Sequence, residues 1–347
     1  MADGFTLPAE WAAQQAVQLT WPHPATDWAP RLEQVLPVFA AIGAAVSQRE
    51  DLLVAVHDDA SQREGERQLR AAGADLSRCH FHRGPSNDSW ARDHGPITLR
   101  HPDGRRRLLD FAFNAWGLKF AADLDNQLTR RLHAAGAYGD LPLQSLGMVL
   151  EGGSIDSDGQ GTLLTTEACL LSPNRNPQWS REEISSQLCI LLGVERVFWL
   201  QSGYLQGDDT DAHVDTLARF CSPGVIAYQS CDDPLDDHFA ALQQMAAELA
   251  GFPQIDGRPY HLIPLPWPAA RYDEDGERLP LSYANFLIIN GAVLVPSYDD
   301  PADAVAAERL AAAFPDREIV LLPCIELARQ HGSLHCVTMQ IPAAGSA

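Results

Sequence analysis

The chain has 347 residues and carries 46 acidic against 25 basic side chains, a formal net charge of −21. Its 46% apolar and 20% charged content is that of a folded globular protein and excludes a disordered chain. So negative a field also argues against a general binder of nucleic acid or of anionic membranes, while suiting a small cation.

In chain order, the first twenty residues hold Asp3 and Glu10 and no apolar run, so they do not read as a secretory leader. Helical periodicity marks residues 29–48, 61–72, 123–135, 180–192, 234–250 and 302–314. Short β-branched or apolar runs lie at 52–57, 97–100, 108–113, 161–165, 197–200, 225–228, 287–289 and 319–322. Helices and strands interleave from end to end, which predicts an α/β or α+β fold. The charged stretch 271–278 reads as a solvated loop, and no low-complexity linker divides the chain, so residues 1–347 are read as one domain. The most apolar run, 286–296, is interrupted by Asn290 and Gly291; it is too short for a bilayer and predicts two strands meeting at a turn. Seven cysteines, scattered without a CxxC pair, argue against a disulfide framework or a structural zinc site. The expectation is a soluble, reduced, cytoplasmic protein.

One pattern recurs. Gly95-Pro-Ile-Thr-Leu, Gly161-Thr-Leu-Leu-Thr, Gly224-Val-Ile-Ala-Tyr and Gly291-Ala-Val-Leu-Val each join a glycine to a short apolar strand, at spacings of 66, 63 and 67 residues. Near-constant spacing predicts an internally repeated fold of about five units. If the units close into a ring, a central site can draw residues from all of them.

Four segments set charged groups beside glycine or inside apolar runs, and they supply the candidate site residues. They are 87–96 (with Asp88, Trp90 and Asp93), 150–155 (with Glu151), 207–216 (with Asp208, Asp209, Asp211, His213 and Asp215) and 331–338 (with His335 and Cys336). Taken singly, each has an ordinary reading as a turn, cap or solvated loop. His213 and Asp215 alternate at period two and would share one face of a strand. Carboxylates near a histidine suit acid–base work. Among the cysteines, Cys189 and Cys221 read as core and Cys79 as surface. A nucleophilic thiol needs access and polar neighbours, which favours Cys336, in a loop entering the final strand.

Together, Trp90-x-Arg92-Asp93-x-Gly95-Pro96, Glu151-Gly152-Gly153, Asp208-Asp209-Thr210-x-x-His213-x-Asp215 and His335-Cys336-x-Thr338 resemble the agmatine deiminase family. So do Pro8-Ala9-Glu10-Trp11, the run 19–22 and Phe113-Asn114-Ala115-Trp116-Gly117-x-Lys119, so that the resemblance spans residues 8–342. That family includes the bacterial type of peptidylarginine deiminase. The resemblance implies a five-bladed, pseudo-symmetric α/β propeller of ββαβ-type repeats around a central channel. It implies Cys336 as nucleophile, His213 as general acid and base, Asp93 and Asp215 as guanidinium ligands, and Glu151 orienting and charging His213. It implies no metal and no organic cofactor. Asp88, Trp90, Asp209 and Trp116 are expected at the far end of a small cationic guanidino substrate. Asp209 and Ala212 stand where the family usually has Glu and Gly, and Ser333 where it usually has Asn; these changes touch the fit of the substrate's tail more than the deimination chemistry. Free or peptide-terminal arginine, or another ω-guanidino compound, is the alternative substrate, and a homodimer is left open. Two other classes compete: a metallohydrolase using His213, Asp215, Asp93 and His80 or His82, and a non-catalytic ligand-binding propeller.

Overall fold

The computed structural model describes residues 4–345. The chain opens with β1 (Gln14–Thr20), α1 (Leu32–Ser47), β2 (Asp51–Val56), α2 (Asp59–Ala71) and β3 (Cys79–Arg83). Four units of strand, strand, helix and strand follow. The first is β4 (Ile97–Arg100), β5 (Arg106–Ala112), α3 (Asp125–Ala134) and β6 (Leu143–Val149). The second is β7 (Ile155–Ser157), β8 (Thr162–Thr166), α4 (Arg181–Leu192) and β9 (Arg196–Leu200). The third is β10 (Ala218–Ser222), β11 (Val225–Gln229), α5 (Phe239–Gly251) and β12 (His261–Leu265). The fourth is β13 (Leu287–Ile289), β14 (Ala292–Ser297), α6 (Ala302–Ala313) and β15 (Glu318–Pro323), and β16 (Thr338–Pro342) ends the chain.

In every unit the first two strands pair antiparallel across a tight turn and the third joins the second in parallel after the helix. The fifth sheet, in the order β16-β1-β2-β3, is built from both ends of the chain. Leu19 lies opposite Thr338 there, so β16 supplies the inner strand that the N-terminal unit lacks. Helices fill the wedges between sheets: α6 packs on β15 and also on β11 and β12, and α1 packs on β2 and on β15. A sheet covered on both faces needs apolar residues on both, which is why Leu52–Val56 is buried without alternation. The five small sheets form a five-bladed α/β propeller, and no sheet closes on itself. At its centre β16 meets β4, β7 meets β10, and the turns Gly152–Ser154 and Val214–Thr216 touch.

The glycine recurrence is real but slipped in phase at its first member. Gly161, Gly224 and Gly291 sit in hairpin turns before the second strands β8, β11 and β14, whereas Gly95 precedes the first strand β4. The matching position in that unit is Gly104, at φ +90°. The Asn290-Gly291 turn stands as expected, with Gly291 at φ +72°. His213 and Asp215 do not share a strand: they lie at the mouth of the short 3-10 turn Val214–Thr216, because β10 begins only at Ala218. Among the described residues no helix is long and apolar enough to cross a membrane.

Candidate active site

The segment entering the inner strand of each sheet turns toward the centre. Trp90–His94 precedes β4, Glu151–Gly153 precedes β7, His213–Asp215 precedes β10, Tyr283–Asn285 precedes β13, and His335–Cys336 precedes β16. One site therefore receives a contribution from all five sheets.

Two carboxylates face each other across it. Asp93 Oδ2 accepts from Trp116 Nε1 at 2.9 Å and Oδ1 from the Gly153 N–H at 2.9 Å. Asp215 Oδ2 is 2.7 Å from His335 Nδ1, while its Oδ1 is buried without a hydrogen-bond partner among the described residues. Gly153 marks the point of convergence: a Cβ there would lie 2.6 Å from His213 Nδ1, 2.9 Å from Asp93 Oδ1 and 3.0 Å from Asp215 Oδ2. Any side chain at Gly153 would occupy the space between the three groups. Burial, with the charges of Asp215 and Glu151, lifts the Asp93 carboxyl well above its usual range. Burial works the same way on Asp215, but the hydrogen bond and charge of His335 outweigh it and hold that carboxyl low. Burial brings His213 down to about 3, so its ring is neutral.

Cys336 is 5% exposed, not the accessible loop thiol expected from its neighbours, yet it forms part of the cavity wall. Its Sγ is 3.4 Å from Asn285 Oδ1, which also accepts from the His335 N–H at 2.8 Å. Burial and then the charges of Asp215 and Asp93 push the thiol well above its ordinary range.

The cavity above Cys336 measures about 520 Å3. Asp93 and Cys336 line its floor, Trp90, Trp116 and Phe120 its aromatic sides, and Asp27, Asp88, Asp125 and Asp209 further positions. Among the described residues no lysine or arginine lines it. Burial raises Asp88 to about 7 and Asp209 to about 6. Trp90 can reach the wall because residue 332 is glycine; a Cβ there would stand 2.2 Å from its ring.

The family model for Porphyromonas-type peptidyl-arginine deiminase matches residues 6–342. The chain belongs to this family. Among its relatives, the agmatine deiminase of Pseudomonas fluorescens is 37% identical over 363 residues, covering 99% of this chain and 96% of the relative. A solved structure of a cysteine-to-serine variant of C. jejuni agmatine deiminase with substrate bound is similar at a TM-score of 0.90, with 35% identity over 98% of this chain and 97% of that one. A candidate arginine deiminase of Porphyromonas gingivalis is similar at a TM-score of 0.89 and 50% identity, over 97% and 98% of the two chains.

Within this deiminase-family chain, Asp93, Glu151, His213, Asp215 and Cys336 all come to the centre, and Asp88, Trp90, Trp116 and Asp209 all reach the cavity. Glu151 does not make the contact expected of it. Its oxygens bond Arg175 Nε at 2.9 and 3.1 Å, and no hydrogen bond joins it to His213. Arg175, absent from the sequence reading, also binds Asp211 Oδ2 at 2.6 Å and the Thr210 carbonyl at 2.8 Å, so it ties Glu151 to the loop carrying His213. Glu151, Cys169 and His213 offer buried ligand atoms within 4.8 Å of one another, but Arg175 already occupies the glutamate and adds a positive charge beside it. The histidines of the metallohydrolase reading lie elsewhere: His80 and His82 sit on β3, at the sheet edge opposite β16. Asn285 and Glu10 were also missed. Glu10 lies in the segment 8–11 that carries the resemblance but was given no role there, and Asn285 carries no motif, although it stands at the repeat position that the other four segments fill.

Proposed function

We propose that this chain is an agmatine deiminase: it hydrolyses agmatine to N-carbamoylputrescine and ammonia, with Cys336 as nucleophile. One observation carries this reading. Cys336 and the buried Asp93 line an acidic cavity whose described lining contains no lysine or arginine, and the neutral His213 and the carboxylate of Asp215 meet Asp93 around Gly153. A guanidinium is planar and cationic, and Asp93 and Asp215 can engage its N–H edges and hold its carbon over sulfur. Its charge compensates the pair of carboxylates and favours transfer of the Cys336 proton to His213. The thiolate then attacks the guanidinium carbon; His213 returns the proton to the leaving nitrogen as ammonia, and a thiouronium remains on Cys336. His213 next takes a proton from water and the hydroxide adds to the same carbon; the C–S bond then breaks as the hydroxyl proton passes to sulfur, giving the ureido product and the free Cys336 thiol, and His213 gives its proton to solvent. The C. jejuni relative was captured with substrate as a cysteine-to-serine variant, which supports a cysteine as the reacting group.

Agmatine fits better than free arginine because a buried carboxylate tail would meet Asp88 and Asp209 without a partner, at a cost of several kcal/mol. Since the site takes a segment from every sheet, we read the whole chain as one catalytic domain of five repeats. Seven unpaired cysteines support a reducing, cytoplasmic setting. The test is ammonia release with agmatine, arginine, arginyl peptides and short guanidino acids side by side. Agmatine should give the highest kcat/KM; an equal or higher value for arginine would overturn the substrate and leave the deimination chemistry standing.

A further inference from the structure

Glu10 is 6% exposed and reaches the centre from the segment before β1. Its Oε1 accepts from the Ile288 N–H at 2.8 Å, and its Oε2 lies 2.7 Å from His335 Nε2 and 2.9 Å from Arg219 Nη2. The other ring nitrogen of His335 is 2.7 Å from Asp215 Oδ2. Both nitrogens thus face carboxylate oxygens, and the ring bridges Glu10 to Asp215. The far end is anchored too: Arg219 binds Asp156 Oδ1 at 3.0 Å and the Phe286 carbonyl at 2.9 Å. Arg92 Nη2 lies 3.6 Å from Glu10 Oε2.

Glu10 does not touch the substrate cavity. It lines a separate void of about 40 Å3 with Arg92, Asp156 and His335, and this void shares no lining residue with the larger one. We propose that Glu10 is a positioning residue: through the His335 ring it pins one oxygen of Asp215, so that the other oxygen, free of any partner among the described residues, is presented to the guanidinium. This rests on the reading of Asp215 as a guanidinium ligand. A carboxylate held at one oxygen cannot rotate away, and holding such geometry within a fraction of an ångström is what orientation contributes to rate.

A double-mutant cycle in KM and kcat for agmatine tests this, using Glu10→Gln, His335→Gln, Asp215→Asn and the paired variants. Glu10→Gln and His335→Gln should each raise KM at least tenfold. Adding either to Asp215→Asn should cost nothing further, because the residue acts through a carboxylate already removed. Multiplying losses in the double variants, or a wild-type KM in Glu10→Gln and His335→Gln, would overturn the proposal. Glu10→Gln removes a charge from beside Arg92 and Arg219; if it fails to fold, His335→Gln, which keeps those pairs, carries the same cycle. Wild-type kinetics in Asp215→Asn would overturn the underlying reading, and this proposal with it.

Discussion

At the scale of single residues, the chemistry of the site separates groups whose role is intrinsic from groups whose role comes from their neighbours. Cys336, His213, Asp93 and Asp215 were legible in the sequence because a thiol, an imidazole and carboxylates beside glycine have few ordinary explanations together. Asn285 and Arg175 were not, and Glu10 was visible only as part of the segment 8–11, since the contacts of each cross gaps of 24 to 325 residues. Cys336→Ser should abolish ammonia release while leaving agmatine binding measurable by calorimetry, since the proposed mechanism assigns the covalent intermediate to the thiol and binding to the carboxylates. Residual turnover in this variant would reject Cys336 as nucleophile. Asp93 gives a second test. Its carboxyl is raised by burial and by the charges of Asp215 and Glu151, so it gives up a proton less readily than an ordinary carboxylate, and the charge of a bound guanidinium favours that release. Binding should therefore release a proton near neutral pH, visible as a dependence of the binding enthalpy on the buffer's ionisation enthalpy. Asp93→Asn should remove that release and lower kcat/KM at least roughly tenfold, the loss expected for about 1.4 kcal/mol. A buffer-independent enthalpy for the otherwise wild-type site would refute the raised proton affinity of Asp93.

At the scale of elements, helices and most strands were legible from periodicity and apolar runs, including the inner strands β4 at 97–100 and β13 at 287–289. The inner strand β7 was not: it has three residues, Ile155–Ser157, too few to show a period, and it is buried at the centre. The motif 113–119 hid an unusual element as well. Ala115, Trp116, Gly117 and Leu118 all have φ between +52° and +85°, with the Leu118 N–H donating to the Asn114 carbonyl and the Lys119 N–H to that of Ala115. This is one turn of left-handed helix, costing roughly 1–2 kcal/mol per non-glycine residue. It places the Trp116 indole against Asp93 and ends at Lys119, whose ammonium binds Asp211 at 2.8 Å and the Asp209 carbonyl. Sequence alone marks such a turn only by glycine, and here one glycine serves four positions. Leu118 is 73% exposed and makes no part of the cavity wall, so it bears strain with little packing in return. Leu118→Gly should raise stability by about 1 kcal/mol, a Tm gain of roughly 1–2 °C for a chain of this size, without altering kcat or KM. Gly117→Ala should do the opposite, since its Cβ would add αL strain and lie 3.2 Å from the Asn174 Cβ. Equal melting temperatures for the two variants would show that the turn stores no strain.

At the scale of the whole molecule, the ring was foreseen from the repeat and the resemblance, whereas the way it is fastened was not, because the fastening joins residues from opposite ends of the chain. Beyond the β16–β1 pairing, the turn between β13 and β14 is clamped to the N-terminal unit. Asn290 Nδ2 donates to the Gln14 carbonyl at 2.8 Å, its Oδ1 accepts from the Gln14 N–H at 3.1 Å, and its N–H donates to Glu50 Oε2 at 2.8 Å. Arg317 completes the clamp through the Trp11 carbonyl, at 2.8 Å. Glu50 is 4% exposed and its Oε1 has no hydrogen-bond partner among the described residues. Burial raises its carboxyl from 4.5 to about 7, and the Asn290 hydrogen bond and Arg317 only partly offset that. The sign follows from linkage. The folded protein keeps this proton at pH values where the unfolded chain has lost it, so the contribution of Glu50 is fully present below about pH 4.5 and is lost as pH rises through 7. The loss approaches roughly 3 kcal/mol, since each tenfold change in proton affinity is worth about 1.4 kcal/mol. Glu50→Gln keeps an acceptor for the Asn290 N–H and cannot ionise. Urea titrations of both proteins should show similar stability at pH 5 and the variant more stable at pH 8. A stability difference between the two proteins that does not change with pH would mean that Glu50 ionises normally and that the clamp tolerates its charge.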